Sequence, residues 1–236
     1  MKKSAIGFGR KVGAFNYVVQ FMNIEQDESD LNLTQSNLVV ELQSMLNRNL
    51  IDNNEEIQKT ISAINSYEYH YENEFSKTHE FVKIRGEDNL FRYKKIKNLL
   101  FRVTPNDNFK DIALVAAGAH ITGVNLTISI DEKLFDEIFK DKKIIENIIS
   151  KTQTNIVKEN LSSCISRVFN FERIRYHETP NVDDELYKAC AKGAKIIIRE
   201  KPLINGRFEL LYYFNEQSMS ISYHRYGNLG SRVLKS

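Results

Sequence analysis

Two kinds of candidate nucleophile occur in this sequence. Ser220 and His224 supply a hydroxyl and an imidazole four residues apart, as nucleophilic catalysis by a Ser–His pair would need. The sequence has no acidic residue at a spacing that would let it orient the imidazole. It also has no evident loop near the pair whose backbone N–H groups could stabilise an oxyanion. Cys164 and Cys190 lie in helical contexts without partner spacing, which is typical of buried, reduced thiols. The residue types therefore favour structural roles over nucleophilic catalysis.

Acidic residues and histidines are the other residue types in this sequence that could support metal binding or acid–base chemistry. Asp183, Asp184 and Glu185 are consecutive, so their carboxylates point to different faces of a helix, and they suit its positive N-terminal end. His70 and His79 are nine residues apart and fall on different faces as well. We expect no metal site and no catalytic residue in the chain.

Glycines near the beginning of the sequence resemble a phosphate-binding loop. No strand precedes Gly7, Gly9 and Gly13, and their spacing differs by one residue from that of a dinucleotide loop. The following segment, Asn16–Met22, has the pattern of a strand, but no partner strand is nearby in the sequence. A strand of this kind presents an unpaired apolar edge, so we expect self-association through residues 16–22.

The pattern of residues 99–130 predicts a strand–helix–strand unit, which is the central element of the predicted fold. A short apolar run, Leu99–Val103, is stopped by Pro105 and predicts a strand. Apolar residues then recur at helical spacing; we predict a helix capped by Asp107 and ended by Gly123 in the left-handed conformation. The segment Val124–Ile130 alternates between apolar and polar residues, as a strand does. Two strands joined by one helix should be parallel, with a right-handed crossover.

The turn between this strand and its helix lacks the chemistry of a nucleotide site. A phosphate-binding turn needs glycines so that the backbone can approach the pyrophosphate. The turn Thr104–Asn108 contains none, and the carboxylate of Asp107 would repel phosphate. We therefore expect no cofactor in this chain, neither NAD nor FAD.

The remaining patterns complete a Rossmann-like α/β layer preceded by a helical segment. A second strand–helix–strand unit is predicted from a strand at Arg173–His177, a helix opened by Pro180 and ended by Gly193, and a strand at Lys195–Arg199. We also predict helices at 38–46, at 54–77 and on both sides of 140–142, and another over 154–169. The sequence further predicts a turn at Asn205–Gly206 leading into a strand at 208–214, and a strand at 218–222.

Length and composition limit the classes of function. The 236 residues suffice for one large or two small domains. A net charge of +2, with no basic stripe interleaved with aromatic residues, argues against nucleic acid. No apolar run approaches the roughly 20 residues that a transmembrane helix needs. We expect a cytoplasmic protein.

Three places in the sequence together resemble the proline utilisation A family. Gly7, Gly9, Lys11, Gly13 and Tyr17 match a loop at the end of its aldehyde dehydrogenase domain, where G-x-G-x-K-A-G-G-P-x-Y leads into the last strand of the oligomerisation flap. Ala14 and Phe15 replace the Gly-Pro of that pattern. The spacing G-E-x-N over 86–89 is similar to the start of the family's C-terminal domain.

The tail carries the third likeness. Ser218, Ser220, Gly227 and Asn228 match the family's C-terminal motif, an S-x-S segment followed by G-N. In the family this motif covers the tunnel between two active sites. The resemblance thus implies lid or interface roles for these four residues, and it implies that Gly7, Gly9, Lys11 and Gly13 end a substrate-anchor loop.

The resemblance implies a non-catalytic C-terminal fragment of an oxidoreductase with an aldehyde-dehydrogenase-superfamily-like fold. The parent enzyme oxidises proline with FAD to pyrroline-5-carboxylate, and its second half oxidises glutamate γ-semialdehyde to glutamate with NAD. This chain would be a structural and lid domain that supports the dehydrogenase half and substrate channelling. Its expected partner is the rest of that polypeptide, which in some members lies at the inner face of the membrane.

Four units follow from these patterns and the resemblance. Residues 1–24 would end the dehydrogenase region, 25–85 form a linker and helical segment, 86–215 form a Rossmann-like non-catalytic domain, and 216–236 form the tunnel lid. An alternative stays open: a stand-alone Rossmann-like binding or scaffold module without catalysis, since the layer is complete and long enough to fold alone.

Overall fold

A computed structural model describes residues 54–138, 152, 154–177, 184–225 and 228–229, together with residues 16, 40 and 44. The helices are α1 (Asn54–His70), α2 (Phe109–Thr122), α3 (Glu132–Ile138), α4 (Leu161–Arg167), α5 (Asp184–Lys192) and α6 (Gly206–Leu210). The strands are β1 (Thr78–His79), β2 (Glu87–Lys95), β3 (Asn98–Arg102), β4 (Asn125–Ile130), β5 (Asn155–Lys158), β6 (Arg173–Arg175), β7 (Ile196–Ile198), β8 (Phe214–Ser222), β9 (His224–Arg225) and β10 (Asn228–Leu229).

The central layer is a parallel sheet of five strands in the order β5-β4-β3-β6-β7. Both predicted strand–helix–strand units, β3-α2-β4 and β6-α5-β7, are present in it. The predicted α/β class with a Rossmann-like parallel layer is therefore confirmed.

The start of α2 differs in detail from the sequence prediction. The predicted cap, Asp107, is wrong: Asn108 caps the helix, accepting a hydrogen bond from the Asp111 N–H at 2.9 Å. The Asp111 carboxylate accepts one in return from the Asn108 N–H at 3.2 Å, which completes a capping box. The helix ends as predicted, with Gly123 at φ 66° in the left-handed region.

Three other predictions about secondary structure are wrong. The predicted helix over 154–169 divides into β5, which pairs with β4, and α4, capped by the Asn160 side chain. The predicted turn at Asn205–Gly206 is instead the start of α6, since the Asn205 side chain accepts a hydrogen bond from the Arg207 N–H. The strand predicted at 208–214 is also wrong, because α6 and a 3₁₀ turn, Leu211–Tyr213, occupy this segment and the strand β8 begins only at Phe214.

A second, antiparallel sheet has the order β1-β2-β8. Strands β2 and β8 pair along nine residues, from Glu87 opposite Ser222 to Lys95 opposite Phe214. Beyond Tyr223, the short strands β9 and β10 pair with each other. The predicted strand at 218–222 is thus part of β8.

One hydrophobic core joins the helical segment to the parallel sheet. Tyr67 of α1 and Phe75 of the π-helical turn after it are buried in the same cluster as Leu99 and Phe101 of β3. Both aromatic side chains therefore form part of the core. Residues on both sides of the boundary predicted at 85/86 therefore contribute to one core. The division into four units stays a prediction.

A smaller core covers the other face of the sheet. Cys164 of α4 and Cys190 of α5 are buried there as free thiols, as predicted. Among the described residues, no group of three or more His, Cys, Asp or Glu side chains is arranged to hold a metal ion. In the same part of the chain, no helix has the length and apolar character required to cross a bilayer.

Several predictions lie outside the described residues. They concern the glycine-rich loop, the strand predicted over 16–22 beyond Asn16, and the helix predicted after 140–142. The helix predicted at 38–46 is described only at Val40 and Ser44, both of which are helical, and the helix predicted before 140–142 is α3. Asn16 itself is described: its buried side chain donates to the Tyr93 hydroxyl at 2.8 Å and accepts from Arg207 Nη2 at 3.0 Å.

Candidate functional site

The carboxyl ends of β3 and β6 form the natural position for a ligand in this sheet. Strand β3 is followed by β4 on one side of the sheet, whereas β6 is followed by β7 on the other side. In open α/β sheets, the reversal of strand order opens a crevice between the two central strands at their carboxyl ends. The site is therefore built from the residues that follow Arg102 and Arg175.

A buried His–Asp pair occupies this position. The Asp107 carboxylate follows β3 and is hydrogen-bonded to Nδ1 of His177, which follows β6. Their side chains are 0% and 1% exposed. The other oxygen of Asp107 accepts from the N–H of Thr104 at 2.7 Å and from its hydroxyl at 2.9 Å. The carboxylate thus orients the imidazole and is itself held by the turn.

The second ring nitrogen of His177 has no hydrogen-bond partner in the part of the chain that the structure describes. Within the described residues, Nε2 is buried without a hydrogen bond, and the ring packs against Phe101 with centroids 5.1 Å apart. With Nδ1–H donating to Asp107, Nε2 of the neutral imidazole carries a lone pair. Such a nitrogen can accept a proton or a hydrogen bond from a hydroxyl, a water or an amide.

The exposed side chain of Lys201 holds the turn Thr104–Asn108 in place. Its ammonium donates to the main-chain oxygen of Asn106 at 2.6 Å and to the Asp111 carboxylate at 2.9 Å. Two carboxylates, Asp107 and Asp111, therefore flank the turn that a nucleotide phosphate would approach in a dinucleotide fold. Negative charge at this turn agrees with the expectation that the chain binds neither NAD nor FAD. That expectation stays a prediction.

A buried ion pair lies deeper on the same face of the sheet. Arg175 donates to both oxygens of Glu209 at 2.6 and 3.0 Å, and neither side chain is exposed. Burial by itself lowers the pKa of Arg175, but the Glu209 carboxylate and the Tyr213 phenol raise it above its ordinary value. Glu209 also accepts from the Leu203 N–H and the Tyr213 hydroxyl. The pair joins β6, α6 and the segment between β7 and α6.

The residues predicted to form the lid lie on the antiparallel sheet. Ser218 and Ser220 are exposed in β8, and the Ser220 hydroxyl donates to the Asn89 side chain at 2.7 Å. Asn228 lies in β10, paired with Arg225. Gly227 and the predicted anchor-loop residues Gly7, Gly9, Lys11 and Gly13 lie outside the described residues. The lid role of these residues stays a prediction.

Exposed apolar side chains surround Ser218 and Ser220. A groove of about 270 Å³ runs along β2 and β8. Among its lining residues, Phe81, Val82, Ile84 and Met219 are exposed. We refer to Phe81, Val82, Ile84, Met219 and the edge of β8 as the β8 surface.

His177 is the site residue that sequence reasoning missed. The sequence predicts its strand, but its partner Asp107 is 70 residues away. A signal was available: Asp107 follows one predicted parallel strand and His177 ends another, and parallel strands bring such positions to the same edge.

Comparisons with known proteins identify the fold. No family model and no curated protein matches the chain. Among solved structures, Proline Utilization A (PutA) from Corynebacterium freiburgense matches 90% of this chain, with a TM-score of 0.56 and 22% identity. PutA from Bdellovibrio bacteriovorus matches 62% of it, with a TM-score of 0.51 and 15% identity. Lactaldehyde dehydrogenase from Escherichia coli matches 69%, with a TM-score of 0.51 and 17% identity.

The matched region is a small part of each of these proteins. It spans 17% and 16% of the two PutA chains and 36% of the lactaldehyde dehydrogenase chain. At these identities the likeness concerns the fold. The chain therefore has an α/β fold that is similar to part of PutA and to part of lactaldehyde dehydrogenase.

Proposed function

We propose that this chain is a non-catalytic, aldehyde-dehydrogenase-like domain of a proline-catabolic oxidoreductase. It packs against the NAD-dependent dehydrogenase half, which oxidises glutamate γ-semialdehyde, and helps to keep pyrroline-5-carboxylate within the enzyme. The observation that carries this proposal is the match of 90% of the chain to only 17% of a PutA chain. A domain of this kind needs a surface for the rest of the enzyme.

The β8 surface has the properties of such an interface. In the described part of the chain, β8 pairs with β2 along one edge, and no strand pairs with its other edge. Unpaired backbone groups on an edge strand are a template for a strand from another chain or domain. Phe81, Val82 and Ile84 are each more than half exposed, at 60%, 56% and 51%. Burial of these side chains by the dehydrogenase half would stabilise the contact.

The contact can be tested by copurification of the chain with the dehydrogenase half of its native enzyme. Phe81→Glu places a charge in the β8 surface and should abolish or strongly weaken copurification. Phe169→Glu is the matched control, because Phe169 is also a half-exposed phenylalanine but lies in the 3₁₀ turn Val168–Asn170 that follows α4. Equal loss in both variants, or retention in both, would contradict the assignment of this surface.

A stand-alone binding module is the second candidate function, and the unpaired Nε2 of His177 favours it. In this case a small ligand with a hydroxyl or amide group would donate to Nε2. The ¹⁵N resonances of the His177 ring report this contact directly. A shift of the Nε2 resonance on addition of a hydroxylated or amide-bearing compound, absent for the same compound with His177→Gln protein, would support this candidate.

A further inference from the structure

Arg102 is a buried arginine without a carboxylate partner in the described residues. It ends β3 and is 6% exposed. Its Nη1 donates to the Ser129 hydroxyl at 3.0 Å and to the main-chain oxygen of Glu159 at 2.8 Å. Both acceptors are uncharged, so the guanidinium charge is not neutralised by them.

The other edge of this guanidinium, formed by Nε–H and Nη2–H, donates to none of the described residues. In the described part of the chain, neither Nε nor Nη2 of Arg102 has a hydrogen-bond or ion-pair partner, and neither is among the fully buried unpaired nitrogens. Nε–H and Nη2–H are parallel donors on one side of the guanidinium plane. This pair of donors matches the two oxygens of a carboxylate or phosphate group.

The charges around Arg102 leave an excess of one positive charge. The nearby carboxylate, Glu159, is paired with Arg167 Nη2 at 2.5 Å, and its side chain is 8% exposed. Two guanidiniums and one carboxylate sum to +1. Cys164 lies next to this group, and burial raises the pKa of its thiol, so the thiol stays neutral at pH 7. Within the same group of residues, Arg167 Nε is also buried without a partner.

We propose that the corner formed by Arg102, Ser129, Glu159 and Arg167 binds a monocarboxylate anion. The two carboxylate oxygens accept from Nε–H and Nη2–H of Arg102, while Ser129 and Glu159 hold Nη1 and fix the plane of the guanidinium. A single negative charge neutralises the excess of +1, whereas a phosphate dianion would exceed it. This inference rests on the β3 corner alone and does not depend on the proposed function.

Isothermal titration of the full chain with acetate, inorganic phosphate and sulfate, at constant ionic strength set with chloride, tests the proposal. We expect saturable binding of acetate and weaker binding of phosphate and sulfate. Arg102→Lys retains the charge but lacks the paired donors, and should weaken acetate binding about tenfold or more. Lys94→Gln, which removes an exposed charge on β2, should leave acetate binding unchanged. Circular dichroism of each variant confirms that it is folded.

Three results would overturn the proposal. One is the absence of saturable acetate binding to the unmodified chain. Another is equal acetate affinity in folded Arg102→Lys and unmodified protein. A preference for phosphate or sulfate over acetate would overturn the assignment to a monocarboxylate.

Discussion

At the scale of single residues, the buried ion pair between Arg175 and Glu209 should affect the free energy of unfolding most strongly. Substitution of Glu209 by Gln keeps its volume but leaves the Arg175 guanidinium charged and unpaired in a site with no exposure. Breaking a buried ion pair from one side costs about 3–5 kcal/mol of unfolding free energy. Urea denaturation of Glu209→Gln should show a loss of this size.

The control for this prediction is Glu72→Gln, an exposed glutamate in the turn after α1. Such a surface change should alter the unfolding free energy by about 0.5 kcal/mol or less. If Glu209→Gln is as stable as this control, the ion pair does not hold β6 to α6.

The stability of the protein at alkaline pH should depend on two buried tyrosines, Tyr67 and Tyr213. Burial, and then the Glu209 carboxylate, raise the pKa of Tyr67 and Tyr213 well above the ordinary value of 10.0. Between the ordinary pKa and the folded pKa, the unfolded chain has lost protons that the folded chain keeps. Stability should therefore be unaffected by these phenols below pH 10 and should fall as the pH rises above it, by about 1.4 kcal/mol per pH unit for each tyrosine.

Unfolding free energies measured from neutral to alkaline pH check this prediction. In Tyr67→Phe and Tyr213→Phe, the decline at alkaline pH should be shallower than in the unmodified protein. An identical slope in all three proteins would show that these two phenols do not set the alkaline limit.

At the scale of elements, close contact between α1 and α6 depends on Gly206. A Cβ atom at Gly206 would lie 2.4 Å from the Ser66 main-chain oxygen and 2.6 Å from the Tyr67 nitrogen. Because these are backbone atoms of α1, they cannot rotate away. Gly206→Ala should lower the unfolding free energy by about 1–3 kcal/mol, measured by urea denaturation.

Gly193→Ala is the matched control for this contact. A Cβ atom there would lie 3.0 Å from the ring of Phe169 and 3.2 Å from the Lys195 side chain. Phe169 is half exposed and its ring can turn, so the cost should be smaller. If both alanine variants lose the same free energy, the spacing of α1 and α6 is not limited by Gly206.

The sequence predicts those elements whose pattern is set by their own residues. The units β3-α2-β4 and β6-α5-β7 could be predicted because apolar runs and a helical stripe distinguish strand from helix. Strand β5 is missed because its four residues alternate weakly, and only pairing with β4 makes them a strand. Helix α6 is missed because Asn-Gly suits a turn and a helix start equally.

The candidate site is less predictable from sequence than the fold. The strand that contains Ser218 and Ser220 follows from local alternation, but their exposure beside Phe81 depends on the pairing of β2 with β8. The bond from Asp107 to His177, and the unused donor edge of Arg102, result from contacts between distant segments. Such contacts leave no periodic pattern in the chain.

At the scale of the whole molecule, the helical segment and the parallel sheet share one core, and the antiparallel sheet presents the β8 surface. The similarity to 17% of a PutA chain concerns the fold, and the contact with the rest of an enzyme is our proposal. The residues predicted for the lid, Ser218, Ser220 and Asn228, lie on or just beyond β8.

Coupled turnover of proline to glutamate, by the complete enzyme of which we propose this chain to be a part, tests the central claim most directly. The formation of glutamate is followed with and without an external trap for pyrroline-5-carboxylate. We predict that Phe81→Glu and Asn228→Ala introduce a lag and sensitivity to the trap, whereas Phe169→Glu does not. The contrary result is a lag and a trap sensitivity that are the same in all variants while both separate activities are normal. In that case the β8 surface does not retain pyrroline-5-carboxylate within the enzyme, and the proposed function is contradicted.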